Sequence, residues 1–141
     1  MHRLVVAALV GFASGCAGPS EREQLKQFLQ VVEGSLGHRY DDQLRDYSED
    51  ERKLRWRVLF FRDQVAAIDN YLGTQPRLTQ RGRAAVDAIR RVCAEELKLY
   101  EGLVAEKRFR LTEAEEQRVK ELRNEWQQQM DHVGRMIDGK E

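Results

Sequence analysis

SEDERKLRWRVLFFRDQVAAIDNYLG, residues 48–73, decides the fold class. Leu54, Val58, Phe61, Val65, Ile68 and Leu72 recur at alternating spacings of four and three, the seam of an α-helix packed against other helices. Ser48 with Glu51 three residues on forms a capping box: the hydroxyl takes an orphan N–H of the first turn and the carboxylate reaches back. Gly73 closes the run, as a helix end commonly requires. Trp56, Phe60 and Tyr71 fall off this seam. Trp56 and Phe60 are four residues apart and share a face, where they either widen the core stripe or form an exposed patch for a protein partner.

The pattern repeats on both sides. Downstream, Thr79 after Pro76 caps a helix expected over 79–110, with Val86, Ile89, Cys93, Leu97, Tyr100 and Leu103/Val104 on one face. Thr112 with Glu115 opens a last helix over 112–138, striped by Val119, Leu122, Trp126, Met130, Val133 and Ile137 and stopped at Gly139. Upstream, Ser20 with Glu23 opens a first helix whose stripe is Leu25, Phe28, Leu29, Val32 and Leu36, resuming at Tyr40, Leu44 and Tyr47. Gly34 and Gly37 each cost that helix about 1 kcal/mol against Ala. It is expected to run over 20–47 with a kink or break near Gly37; the alternative is a helix ending at Leu36 and a short one from Asp41. Four helices with short connections predict an all-α, antiparallel up-down four-helix bundle over 20–141. Two long hairpins that complete their core on dimerisation would also satisfy the pattern.

Residues 1–15 are different. His2 and Arg3 precede a nine-residue apolar run, 4–12, and then the small residues Ala13, Ser14 and Gly15. Such a run is too short to span a bilayer, which takes about 20 residues, and suits a cleaved export signal. Ala13-Ser14-Gly15-Cys16 resembles the lipobox of bacterial lipoproteins, where small residues precede a Cys that is lipidated and becomes the first mature residue. Ala13 stands where that family usually has Leu. The resemblance implies lipidation at Cys16, and Ala17 in place of Asp resembles the signal for transfer to the outer membrane, facing the periplasm. Residues 16–19 then form the lipidated Cys and a short tether of at most about 14 Å, holding the bundle against the bilayer.

Charge narrows the partners. The chain carries 24 Lys+Arg and 24 Asp+Glu. Without residues 1–15 it loses only Arg3, so no basic excess of the kind nucleic-acid binders show is present. Within 74–91, however, Arg77, Arg81, Arg83, Arg90 and Arg91 face one acid, Asp87. These are candidate contacts for anionic headgroups or an acidic partner, because guanidinium groups bind phosphate and carboxylate bidentately. In an up-down bundle that turn lies at the anchored end.

Catalytic and metal signatures are not found. His38 and His132 have no His, Cys or Glu-x-x-His spacing to form a metal site, and no GxSxG elbow or phosphate-binding glycine loop occurs. With Cys16 lipidated, Cys93 is left as a small apolar core residue. Neither an enzyme, a cofactor nor a small-molecule substrate is expected. Leu111-Thr112 with Glu115, and Leu78-Thr79 with Gly82, resemble the Leu-Thr-x-x-Gln repeats of Spy/CpxP-type periplasmic proteins, helical chaperones and stress or metal sensors. The expectation is a non-enzymatic envelope lipoprotein that scaffolds another envelope protein, similar in architecture to the pilotins, with a Spy/CpxP-like module as the alternative.

Overall fold

The computed structural model describes residues 20–35, 40–74 and 77–140. The leader, Cys16 and its tether, Gly37, His38 and Pro76 lie outside them. The described chain is all-helical: α1 Glu21–Ser35, α2 Asp41–Leu44, α3 Glu49–Thr74, α4 Gln80–Ala105 and α5 Glu113–Asp138.

Each helix but the short α2 begins where a hydroxyl can take an orphan N–H. Ser20 Oγ accepts from Glu23 N and Ser48 Oγ from Glu51 N, at 3.3 and 3.4 Å. Thr79 accepts from Gly82 N at 3.0 Å. Thr112 and Glu115 complete a reciprocal capping box. Such caps contribute about 1 kcal/mol each.

Two ends depart from expectation. The first helix does not run to Tyr47, and the alternative of a separate short helix from Asp41 holds: α1 ends at Ser35 and Tyr40, at φ −118° and ψ 13°, is non-helical before the short α2. Tyr40 is instead held by α3, its hydroxyl donating to Asp63 at 2.5 Å and its ring set edge-on to Trp56. Likewise α4 stops at Ala105 instead of continuing to Arg110. Lys107 enters the left-handed region at φ 56°, and Arg108 N donates to the Leu103 carbonyl while Lys107 N donates to that of Val104. This double closure is a Schellman turn. It folds Phe109 and Leu111 back onto the core.

The core has two parts, and α1 belongs to one. Near the start of α1, Leu25, Phe28 and Val32 meet Ile68 and Tyr71 of α3, Val86 and Ile89 of α4, and Val133 and Ile137 of α5. Fifteen residues form a marginal helix alone. Three side chains this deeply buried contribute about 1.5–3 kcal/mol each and hold it. The far cluster of Leu54, Val58, Tyr100, Leu103 and Val119 comes from α3, α4 and α5 only.

Polar contacts fix the order along each pair. On α3 and α4, Asp69 meets Arg90 and Arg62 meets Glu101. On α4 and α5, Arg91 meets Glu125 and Glu95 meets Arg118. On α1 and α3, Tyr71 donates to the Gln24 carbonyl at 2.6 Å and Gln64 to that of Val32 at 3.4 Å. The surface ion pairs are worth 0–1 kcal/mol each and serve register more than stability. Helix α1 also packs on α5, while α2 packs on α3.

Candidate functional site

The start of α1 lies against the start of α4. Glu21 accepts from the Thr79 hydroxyl and from Arg81 Nη2, the latter at 2.7 Å, and these bonds hold its carboxyl below the usual range. Three arginines of the basic segment are thereby spoken for within the chain: Arg81 by Glu21, Arg90 by Asp69, and Arg91 by Glu125 and Glu95. Arg77 and Arg83 are exposed, and among the described residues no acid forms an ion pair with Arg83. The two Leu-Thr pairs each supply a helix cap. Gly82 packs on the first of them: a Cβ there would meet Thr79 Oγ1 at 3.2 Å and Leu78 Cγ at 3.3 Å.

The off-seam aromatics separate. Tyr71 is core, and burial pushes its phenol up to about 12. Trp56 is 36% exposed and stacks on half-buried Phe60 with centroids 5.0 Å apart and planes within 11°. From there a ladder of rings leads inward, Phe60 to Phe61 at 5.1 Å and Phe61 to Tyr100 at 5.8 Å.

At the foot of that ladder is a group the helical periodicity did not single out. Glu96 is 2% exposed. It accepts from the Tyr100 hydroxyl at 2.5 Å, and Arg123 Nε stands 3.6 Å away. Burial pushes its carboxyl above the ordinary value, opposed by the hydrogen bond from Tyr100 and the charges of Arg123 and Arg57. The Arg57 guanidinium lies 5.3 Å over the Tyr100 ring. One turn back, burial and then Glu96 push the Cys93 thiol up to about 12. Cys93, Glu96 and Arg123 floor a cavity of about 310 Å³ walled by Phe60, Phe61 and Gln64 on α3 and by Trp126 and Gln127 on α5. The signal was present in the spacing: Ile89, Cys93, Glu96, Tyr100 and Leu103 keep the four-and-three rhythm better than a path through Leu97.

A thiol at about 12 is not a nucleophile at neutral pH. Glu96 is engaged by Tyr100 and Arg123, and the volume is at the small end for ligand sites. Among the described residues no group of three or more His, Cys, Asp or Glu side chains is placed to hold a metal, and no helix is long and apolar enough to cross a membrane. His132 lies half-buried on α5. Comparison with known proteins matches no family model, no curated protein and no solved structure.

Proposed function

We propose that the chain is a bacterial envelope lipoprotein, anchored through lipid on Cys16 and facing the periplasm from the outer membrane, whose helices act as a non-enzymatic scaffold for another envelope protein. In this reading the four long helices form an up-down antiparallel bundle. The descending partners along each pair support it: Asp69 with Arg90 but Arg62 with Glu101, and Arg91 with Glu125 but Glu95 with Arg118. The contact of Glu21 with Thr79 and Arg81 supports setting the basic turn at the anchored end, where exposed Arg83 is the cation best able to meet anionic headgroups.

One observation carries the scaffold reading. Trp56 and Phe60 form a stacked aromatic pair with Trp56 open to solvent, on the half of α3 away from the start of α1. Aromatic anchors of this kind dominate protein interfaces. A chaperone in the Spy/CpxP manner would need a broad apolar cradle; one stacked pair beside a cavity of about 310 Å³ suits a defined partner.

Palmitate labelling of wild type against Cys16→Ser tests the anchor, and equal labelling of both would remove it. Photo-cross-linking from position 56 in membranes tests the scaffold. A single defined neighbour is expected; a diffuse set of unfolded proteins would overturn it.

A further inference from the structure

Helix α1 occupies a lane between α3 and α5, and it fills only part of that lane. It has 15 residues against 26 in each of its neighbours, a difference of 11, or about 16 Å at 1.5 Å per residue. On α3 the lane is marked by Tyr71 and Gln64, both bonded to α1 backbone. Phe60, four residues before Gln64, continues the same face beyond the end of α1. On α5, Arg123 and Gln127 do the same at a spacing of four. The chain does not return to the lane with α2. Tyr40 and α2 sit on α3, with Leu44 beside Val58 and Leu59, Tyr40 against Trp56 and Asp63.

Among the described residues that stretch is a cavity of about 310 Å³ over Glu96. Its walls are apolar and its rim is cationic. Arg123 lines it at 57% side-chain exposure, and Arg57, outside the lining, stands over the ring of Tyr100, which holds Glu96. The one acid between them is Glu96, which is buried and bonded to Tyr100. Among the described residues no acid forms an ion pair with Arg57, and Arg123 reaches only Glu96, at 3.6 Å. The site therefore presents apolar volume with two guanidinium groups that can still accept carboxylates.

We propose that this groove receives an amphipathic helix of the protein partner, its apolar ridge set between Phe60, Phe61 and Trp126 and its acidic flank on Arg57 and Arg123. The proposal rests on the scaffold reading above and names the chemistry of the partner. A helix is the fitting occupant because the groove continues the lane in which α1 already seats Leu25, Phe28 and Val32. It would supply the fourth side that the far core, built from α3, α4 and α5, lacks. Trp56, stacked on Phe60, lies at the edge of the same groove and ties the exposed patch to it.

The test uses the full chain in detergent with Trp56→Phe, so that Trp126, one of two tryptophans, reports alone. The probes are two synthetic helices of about four turns with Leu at i, i+3, i+4 and i+7, one flanked by Glu and one by Lys. The Glu-flanked helix is expected to shift Trp126 emission and bind about tenfold tighter than its Lys twin. Arg57→Glu with Arg123→Glu should reverse that preference. Since Arg123 touches buried Glu96, circular dichroism must show native helicity; Gln127→Glu on the exposed wall is the second variant and should weaken the Glu helix about threefold. Equal binding of both helices, no Trp126 response, or a response produced by dimerisation of the chain itself would overturn the proposal. A defined neighbour cross-linked from position 56 without any helix preference sinks the groove alone. Helix preference with no neighbour captured sinks the scaffold reading alone.

Discussion

Tyr100→Phe removes one oxygen from a fully buried position and should cost stability in a pH-dependent way. Tyr100 is 0% and Glu96 2% exposed, with the phenol donating to the carboxylate at 2.5 Å. Arg123 Nε stands at 3.6 Å, beyond ordinary hydrogen-bond length. A bond to a charged acceptor is worth about 1.5–3 kcal/mol, and one between neutral groups about 0.5–1.5. The substitution should therefore cost about 2 kcal/mol where Glu96 is ionised and about 1 kcal/mol where it is protonated. For a chain of this size 2 kcal/mol corresponds to a fall of about 6–10 °C in Tm. The sign with pH follows from the raised carboxyl of Glu96. Below the unfolded-state value of about 4.3 both states hold the proton and the stability of neutral Glu96 is fully present. As pH climbs from there through the folded value, that stability is lost. The Tyr100 bond lowers the folded value, so Tyr100→Phe should extend the loss to higher pH. Glu96→Gln should flatten it. Urea unfolding of wild type, Tyr100→Phe, Glu96→Gln and the double variant across pH 4 to 8 reads all of this, with a coupling of about 1–2 kcal/mol expected at the alkaline end. A cost under about 0.5 kcal/mol that does not change with pH would refute the buried pair.

Three further outcomes are expected. Lys107→Gly relieves a left-handed residue at φ 56° and should stabilise by about 1 kcal/mol, read as a Tm rise; no gain would mean that the Schellman turn does not close α4. The Glu115 carboxyl, held down to about 2 by Arg108 and then by the Thr112 N–H, should titrate far below an ordinary glutamate by NMR. Its contribution is present above the unfolded value and lost as pH falls, and Arg108→Ala should move the midpoint back up; a wild-type midpoint near 4 contradicts the contact. Iodoacetamide at pH 8 should modify Cys93 only in denaturant, since its thiol is buried and pushed up to about 12; fast native alkylation, mapped by peptide mass, would place Cys93 at the surface.

Local rules were legible in the chain, and contacts between distant segments were not. Capping depends on a hydroxyl and the N–H three residues on, so Ser20, Ser48, Thr79 and Thr112 announce four helix starts by themselves. Stripes such as Val119, Leu122 and Val133 are likewise set by helical period. The end of α4 was hidden because a Lys in the left-handed region carries no signal; only the return of Phe109 and Leu111 to the core requires it. For α1 the two glycines gave the warning, but Tyr40 breaks away to bonds on Asp63 and Trp56 of another helix, which no spacing within α1 can reveal.

The same distinction explains Glu96. A charged residue is ordinarily placed on a wet face, so the period through α4 was drawn past it to Leu97, which is only half-buried. What overrides this is the length of α1. Toward its end Gln64 of α3 donates to the Val32 carbonyl, and Gln64 shares the cavity wall with Glu96. Cys93 closes one core cluster and Tyr100 opens the other, with Glu96 between them. Two buried polar residues of different helices thus form a layer between the two core clusters. Each alone is an exception to its own stripe; only the topology joins them. A buried acid there is tolerable because Tyr100 lies one turn on and Arg123 reaches in from α5, and among the described residues Arg123 has no second acid to hold.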